Sequence, residues 1–517
     1  MDAGWSLTGK RGVHIQISIM FICTICICIS QIIRGGNNMN DVLERLNAES
    51  GADVTLLHDY GVGIDTHRDF IQVCVLVKQG SAIKMFESEH RTTWEGLVNA
   101  GEWAINIIRE KSIPTIEPEP LRYTIESTST YHLPIIKAIK GKPSIVNPAL
   151  AGSTKRKTDV LDARLLSFQS MTGLWPESYI IPPEKEEFRL LVKQRACHIR
   201  ECTAISNRIN NYILRFGHTL GSNGSIRHME NRAVIEDMCE EDYVYKDSPP
   251  KIGANQFICP DGLPKEAKKI LKDMYIEYDD HNLKADSYHN LAMECAKRIY
   301  WETGCGYVKG DALIKNLLTV PSVGELTALV WLAEIVTPLR FKTAPQLAAY
   351  CGCDPSLKVS AGKVTSQTRR KGNTKLHSQL TKIAGSCINH HTEPIGRWGY
   401  ALSKKHVKGG YKKASGAVAR RIAVALYYVH MHNMPFSYEK YNFYKIDVPD
   451  ILVSNMGFTK RLENILILNG LTNSKAIAES FLLGKIYEIK GFGGRSVQAV
   501  NDWIQNNKNT GFKGATR

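Results

Sequence analysis

The stretch Tyr60-Gly61-Val62-Gly63-Ile64-Asp65-Thr66-His67-Arg68-Asp69-Phe70-Ile71-Gln72-Val73-Cys74-Val75-Leu76-Val77 decides the fold. An apolar run closes on Asp65, a polar turn follows, and a second run rich in β-branched residues returns. That is the signature of two strands joined by a short turn. Downstream, Trp94 to Glu110 carries apolar Trp94, Leu97, Val98, Trp103, Ile107 and Ile108 at helical spacing. Tyr123-Thr124-Ile125-Glu126 reads as another strand closed by an acid, and Pro143 to Pro148 as a short strand ended by proline. Alternation of strands and helices over residues 58–180 predicts an α/β domain.

The next informative stretch is Lys157-Thr158-Asp159-Val160-Leu161-Asp162-Ala163, which reads as a helix start. Asp159 and Asp162 are three residues apart and share one helical face. Arg156 and Lys157 offer one way to balance them, as ion pairs. A divalent metal offers another, because acids at the strand ends, Asp65 and Glu126, can converge on the same point. Four carboxylates from separate segments suit hard cations such as Mg²⁺ or Mn²⁺.

Taken together, Gly63-Ile64-Asp65, then Ile125-Glu126-Ser127-Thr128 with Tyr131, then Val146-Asn147-Pro148, then Lys157-Thr158-Asp159 with Asp162-Ala163, occur in a familiar order. Over residues 58–430 the chain resembles the insertion-sequence transposases with an N-terminal RuvC-like (RNase H-like) domain bearing a DEDD acidic tetrad. The resemblance implies a bridge-RNA-guided DNA recombinase, with Asp65, Glu126, Asp159 and Asp162 as catalytic metal ligands. It implies a second site in Val359-Ser360-Ala361-Gly362-Lys363, ahead of Arg369-Arg370-Lys371-Gly372-Asn373. There the family's nucleophilic serine, usually followed directly by glycine, matches Ser360, here followed by Ala361. Ser356 and Ser366 are lesser candidates. Lys363, Arg369, Arg370 and Lys371 would contact nucleic acid. DNA, a guide RNA and a homo-oligomer, dimer or tetramer, are the implied partners, with no small-molecule substrate.

Charge supports an anionic partner independently. The 517-residue chain carries 66 Lys+Arg against 51 Asp+Glu. Between Pro355 and Arg421 there are 15 Lys/Arg and a single acid, Glu393, so this segment holds nearly all of the net +15. Such a local excess points to a polyanion surface. The 13 cysteines are scattered without zinc spacing, as expected of a reduced cytoplasmic protein, and the resemblance implies a bacterial one.

The remaining segments complete the layout. Residues 1–38 hold an uncharged run, His14 to Ile33, long enough for a membrane span and preceded by Lys10 and Arg11 as in a signal peptide. Arg34-Gly35-Gly36 ahead of Met39 also fits a translated ribosome-binding site, so an apolar leader that is not native is the preferred reading. Residues 39–180 form the RuvC-like domain. Residues 184–310 are expected as a coiled-coil helical hairpin, Glu184 to Phe216 and Leu263 to Trp301, with a loop or small insertion at 218–262. Such a hairpin serves dimerisation or acts as a spacer within one chain.

Residues 311–433 are expected as a mainly α transposase domain. Leu318 to Ala328 has the form of a helix-hairpin-helix turn, or of a plain inter-helix loop; Ser322 stands where the family usually has glycine. After a linker at 434–449, residues 450–507 resemble the C-terminal domain of the bacterial RNA polymerase α subunit. That is a small α-helical helix-hairpin-helix module in which Lys490 and Arg495 would hold a DNA phosphate; the same fold also serves protein contacts. Two other activities remain compatible with these residues. One is a Holliday-junction-type nuclease using water and the same tetrad. The other is a non-catalytic DNA-binding protein.

Overall fold

The computed structural model describes residues 5–8, 14–17, 55–80, 82–127, 130–147, 159–174, 177–221, 224–240, 263–360, 363–369, 372–404, 409–438, 448–482, 486 and 489–507; for 5–8, 14–17, 159, 355–360, 363–369, 479, 482, 494, 497, 501 and 505 it describes the backbone alone. The chain divides into two compact units, Met1–Ile180 and Ile181–Arg517. Near the start, β1 (Trp5–Thr8) pairs antiparallel with β2 (His14–Ile17). Most of the apolar run to Ile33 lies outside the described residues. Among those described, no helix is long and apolar enough to cross a membrane.

The first unit is built on a six-stranded mixed sheet. Its strands are β3 (Tyr60–Thr66), β4 (Phe70–Gln79), β5 (Ala82–Arg91), β6 (Leu121–Glu126), β7 (Gly141–Val146) and β8 (Glu177–Ser178), in the order β5-β4-β3-β6-β7-β8. β3 pairs antiparallel with β4 and parallel with β6. Side chains alternate across a strand, so the two faces of β3 differ. Val62 and Ile64 enter a core with Val73, Val75 and Val77 of β4 and Ile125 of β6. Helices α1 (Trp94–Lys111) and α2 (His132–Ala138) cover that face through Leu97, Ala104, Ile108 and Ile135.

The odd-numbered face of β3 carries Gly61, Gly63 and Asp65. Helix α3 (Asp159–Thr172) lies directly on it. A Cβ on Gly63 would sit 2.2 Å from the Ala163 carbonyl oxygen and the Ser167 nitrogen, and one on Gly61 would sit 2.1 Å from the Ser167 carbonyl oxygen. These glycines are required by close backbone approach, not by an unusual dihedral. An ion pair to β5 also fixes the helix: Arg164 donates Nε and Nη2 to the two Glu87 oxygens at 2.6 and 2.7 Å. Glu87 stands opposite Cys74, which stands opposite Gly63, so this pair continues the same row across the sheet.

The second unit starts with two long helices, α4 (Pro183–Leu214) and α6 (Lys265–Arg298). They run antiparallel: His198 meets His281, while Tyr212 reaches the Ala267 carbonyl. Between them the chain forms helix α5 (Met229–Cys239) rather than loop alone, packed through Ile235 and Met238. Residues 241–262 of that insertion lie outside the described residues. After α6 the chain turns into a hairpin, β9 (Tyr300–Thr303) with β10 (Gly306–Lys309), which places Trp301 in a strand.

Helices α7 (Gly310–Leu317), α8 (Glu325–Ile335), α9 (Ala344–Tyr350), α10 (Thr374–His390), α11 (Pro394–Lys404) and α12 (Gly410–His432) follow. α12 is buried on most sides, with Ala414, Val418, Ala419, Ile422, Ala423, Leu426 and Val429 in the largest core of this unit. Between α9 and α10, β11 (Pro355–Ser360) pairs antiparallel with β12 (Lys363–Arg369). Residues 439–447 of the expected linker lie outside the described residues. Helices α13 (Lys460–Leu468), α14 (Ser474–Leu482) and α15 (Gly494–Asn507) surround a core of their own, including Leu466, Ile477, Val500 and Ile504.

The Gly63 contact gives a direct test. Gly63→Ala puts a methyl into backbone atoms that cannot turn aside, and overpacking typically costs about 1–3 kcal/mol. The expected result is a lower midpoint in chemical denaturation together with loss of the metal-dependent stabilisation described below. A variant with wild-type behaviour in both would show that α3 does not need the glycine.

Candidate metal centre and nucleophile hairpin

Asp65 and Glu126 lie at the carboxyl ends of neighbouring parallel strands, in register through Ile64 opposite Ile125. Both are buried, at 7% and 8% exposure. Asp162 stands in the first turn of α3, next to Ala163, whose carbonyl touches the Gly63 position. One oxygen from each of the three carboxylates lies within 4.8 Å of the others. The structure therefore brings together three of the four acids expected from the sequence. Asp159 is the first residue of the same helix, one turn earlier, and its side chain lies outside the described residues, as do Arg156 and Lys157.

The electrostatics of this cluster suit a cation. Burial is the largest influence on Asp65 and pushes its carboxyl above the ordinary value; His67 and the Thr66 N–H pull it part of the way back, and the Glu126 charge adds to the rise. His67 Nε2 lies 3.1 Å from Asp65 Oδ2, and its ring stacks on Phe70 with centroids 4.8 Å apart. Three carboxylates offer only hard oxygen donors, a set that fits Mg²⁺ or Mn²⁺ and not a soft thiophilic ion.

Ser360 ends β11, and its Cα partner is Lys363, the first residue of β12. The polar stretch around Ser360 is thus a hairpin, with Ser360 and Lys363 flanking its tip. Pro355 and Arg369 pair at the other end. Arg370 and Lys371 lie outside the described residues. Past the base, a Cβ on Gly372 would meet the Gly352 nitrogen at 2.5 Å and the Tyr350 carbonyl oxygen at 2.7 Å. Gly352 has φ +67°, a left-handed conformation that favours glycine. The Asn373 N–H donates to the Tyr350 carbonyl at 2.7 Å, and Asp354 pairs with Arg420. Both legs are therefore held close to where they enter the domain.

Two further sequence expectations can be placed. The turn between α7 and α8 holds Ser322 at φ +61°, so the backbone keeps the conformation that glycine would favour. In the last domain, Gly491 has φ +87° in the turn before α15, and Lys490 and Arg495 on either side are exposed.

Residues 314–400 match the transposase IS116/IS110/IS902 family. That match supports an insertion-sequence transposase. It takes in the α7–α8 turn, the Ser360 hairpin and the basic helix that follows. No curated protein matches the chain.

Sequence reasoning does not single out His67, the Arg164–Glu87 pair or the helix contact at Gly61 and Gly63, although Gly63 opens the Gly63-Ile64-Asp65 motif. The Asp65-x-His67 spacing at a strand end was the available signal for the first. The other two join segments far apart in the chain and carry no local pattern.

Because the folded state raises the Asp65 pKa, its ionised form costs stability at neutral pH, and that cost is relieved as pH falls through the folded value. Mn²⁺ is expected to raise the thermal midpoint of the wild-type protein, by linkage worth about 2.7 kcal/mol at 100 times the Kd. Asp65→Asn is expected to be at least as stable as metal-free wild type and to gain nothing from Mn²⁺. Metal affinity should weaken with acidification from above the ordinary aspartate value of 3.8. Equal Mn²⁺ stabilisation of both proteins would remove Asp65 from the site.

Proposed function

We propose that this protein is a DNA transposase and recombinase of an insertion sequence, cutting and exchanging strands through Ser360 with the help of a metal-binding acidic tetrad. The observation that carries the reading is the convergence of Asp65, Glu126 and Asp162 in a chain whose residues 314–400 match a transposase family. In this reading residues 39–180 are the RuvC-like domain, 184–310 the helical hairpin, 311–433 the transposase domain and 450–507 a helix-hairpin-helix module. A guide RNA, a dimeric or tetrameric assembly and a place on the bacterial nucleoid follow from the family resemblance.

The chemistry needs a nucleophile that keeps the phosphate. The Ser360 hydroxyl attacks the phosphorus of a DNA phosphodiester and loses its proton. The bond to one sugar oxygen breaks, and that oxygen leaves protonated. The phosphoserine ester conserves the bond for a second sugar hydroxyl, whose attack restores the diester and frees the serine. A serine hydroxyl is a weak nucleophile at neutral pH and needs activation. Mg²⁺ or Mn²⁺ supplies Lewis-acid stabilisation of the charge developing on the phosphoryl oxygens. Asp65, Glu126, Asp159 and Asp162 would hold that cation in place. Lys363, paired with Ser360 at the hairpin tip, together with Arg369, Arg370 and Lys371 further along the chain, offsets the remaining negative charge. Lys490 and Arg495 contact DNA phosphates away from the chemistry, which positions without specifying sequence.

The decisive comparison is Ser360→Ala. It is expected to abolish every covalent protein–DNA adduct and all strand exchange while leaving DNA affinity within about twofold. Continued metal-dependent cutting by the alanine variant would make the protein a nuclease that uses water. A second expectation concerns the last domain: ending the chain after Tyr444 should weaken DNA binding and make its salt dependence shallower, with the deficit largest at low salt. Identical salt titrations would assign residues 450–507 to protein contacts.

A further inference from the structure

A buried charge on α8 has no part in the chemistry described so far. Glu334 stands among Leu329, Leu332, Ala333 and Ile335, all in the apolar core, and its side chain is 4% exposed. A buried carboxylate at such a position costs desolvation, and an apolar residue would avoid that cost. Its partners are on three other segments. Oε2 accepts from Asn373 Nδ2 at 2.7 Å and from Arg189 Nη2 on α4 at 3.3 Å; Oε1 accepts from Lys375 Nζ at 3.1 Å. The Glu334 backbone carbonyl takes the Arg340 guanidinium at 3.2 Å. Burial alone would raise the Glu334 carboxyl, but Arg189, Asn373 and Lys375 outweigh it and hold it below its ordinary value.

Asn373 is the hinge of this arrangement. Its Oδ1 accepts from the Lys375 and Leu376 N–H groups, capping α10, and its own N–H donates to the Tyr350 carbonyl. It follows β12 by four residues. The residue that caps α10 and ties the outgoing leg of the hairpin to α9 is therefore the residue that Glu334 grips. Arg189 extends the link to the long helix α4.

We infer that Glu334 is a positioning residue for Ser360, fixing the base of the 355–369 hairpin through Asn373 and coupling it to α4 through Arg189. This rests on the serine reading above. Rotation of the hairpin base displaces its tip, and misplacement of a reacting group by about 1 Å can cost about 100-fold in rate.

The test uses the full chain in three forms: wild type, Glu334→Gln and Asn373→Ser. Serine keeps a helix cap but is too short to reach Glu334, so it separates the clamp from the cap. Three quantities are compared: hydrogen exchange of amides 355–369, the rate of Ser360-linked adduct formation, and DNA affinity. Faster hairpin exchange and at least tenfold slower adduct formation are expected in both variants, with DNA affinity unchanged. The double variant should lose no more than either single one, because both remove the same contact. Unchanged hairpin exchange would overturn the clamp. Faster exchange with a wild-type adduct rate, or a rate loss matched by DNA affinity, would overturn the positioning role. Absence of any Ser360 adduct in wild type would instead reject the serine reading, and with it a role in positioning that serine, while exchange still reports on the clamp.

Discussion

The first unit depends on the contact between a helix backbone and a strand backbone. Ala163 and Ser167 approach Gly63 so closely that a methyl group has no room. This contact sets the height of α3 above the sheet, and with it the distance from Asp162 to the acids at the ends of β3 and β6. Side-chain packing adjusts to substitution in small steps, whereas backbone against backbone does not. The Arg164–Glu87 pair then limits sliding of the helix along the strand. Carboxylate spacing is thus set by main-chain geometry, with a charge-assisted fork as its brace.

The second unit solves a related problem by other means. Its hairpin is polar in sequence, and its orientation is imposed at the base. Gly352 and Gly372 let two backbone segments touch, Asp354 takes Arg420, and Asn373 takes Glu334. A buried ionic network of this kind adds little net stability compared with an apolar replacement. What it adds is direction, because a carboxylate accepting three donors tolerates few arrangements.

Much of the first unit was legible in the chain. The apolar runs closing on Asp65 and Glu126 give both strands and both acids, since an acid that ends a buried run sits at the end of its strand. The helix from Asp159 was equally plain. β5 was not, because Ala82 to Arg91 alternates with charged residues and reads as surface. It is an edge strand, where that pattern is expected. The hairpin around Ser360 was hidden for a related reason: Ser, Thr, Lys and Gln alternate there with few apolar residues, so strand and loop look alike. Helix α5 escaped notice within a segment rich in Gly, Ser and Asn. The Glu334 network had no local trace, because its members are up to 186 positions apart, from Arg189 to Lys375.

Strand β3 also separates two kinds of constraint by residue parity. Val62 and Ile64 belong to a core in which volume can be exchanged among neighbours, so substitutions there carry graded costs. Gly61, Gly63 and Asp65 belong to a face where one atom too many displaces a helix. Drift on the even positions would tune how firmly the unit folds while the geometry of the acids stays put. The odd positions leave nothing to tune. A lineage of such proteins could therefore move far in thermal tolerance with the geometry of its acids unchanged, and would lose that geometry in a single step rather than by degrees.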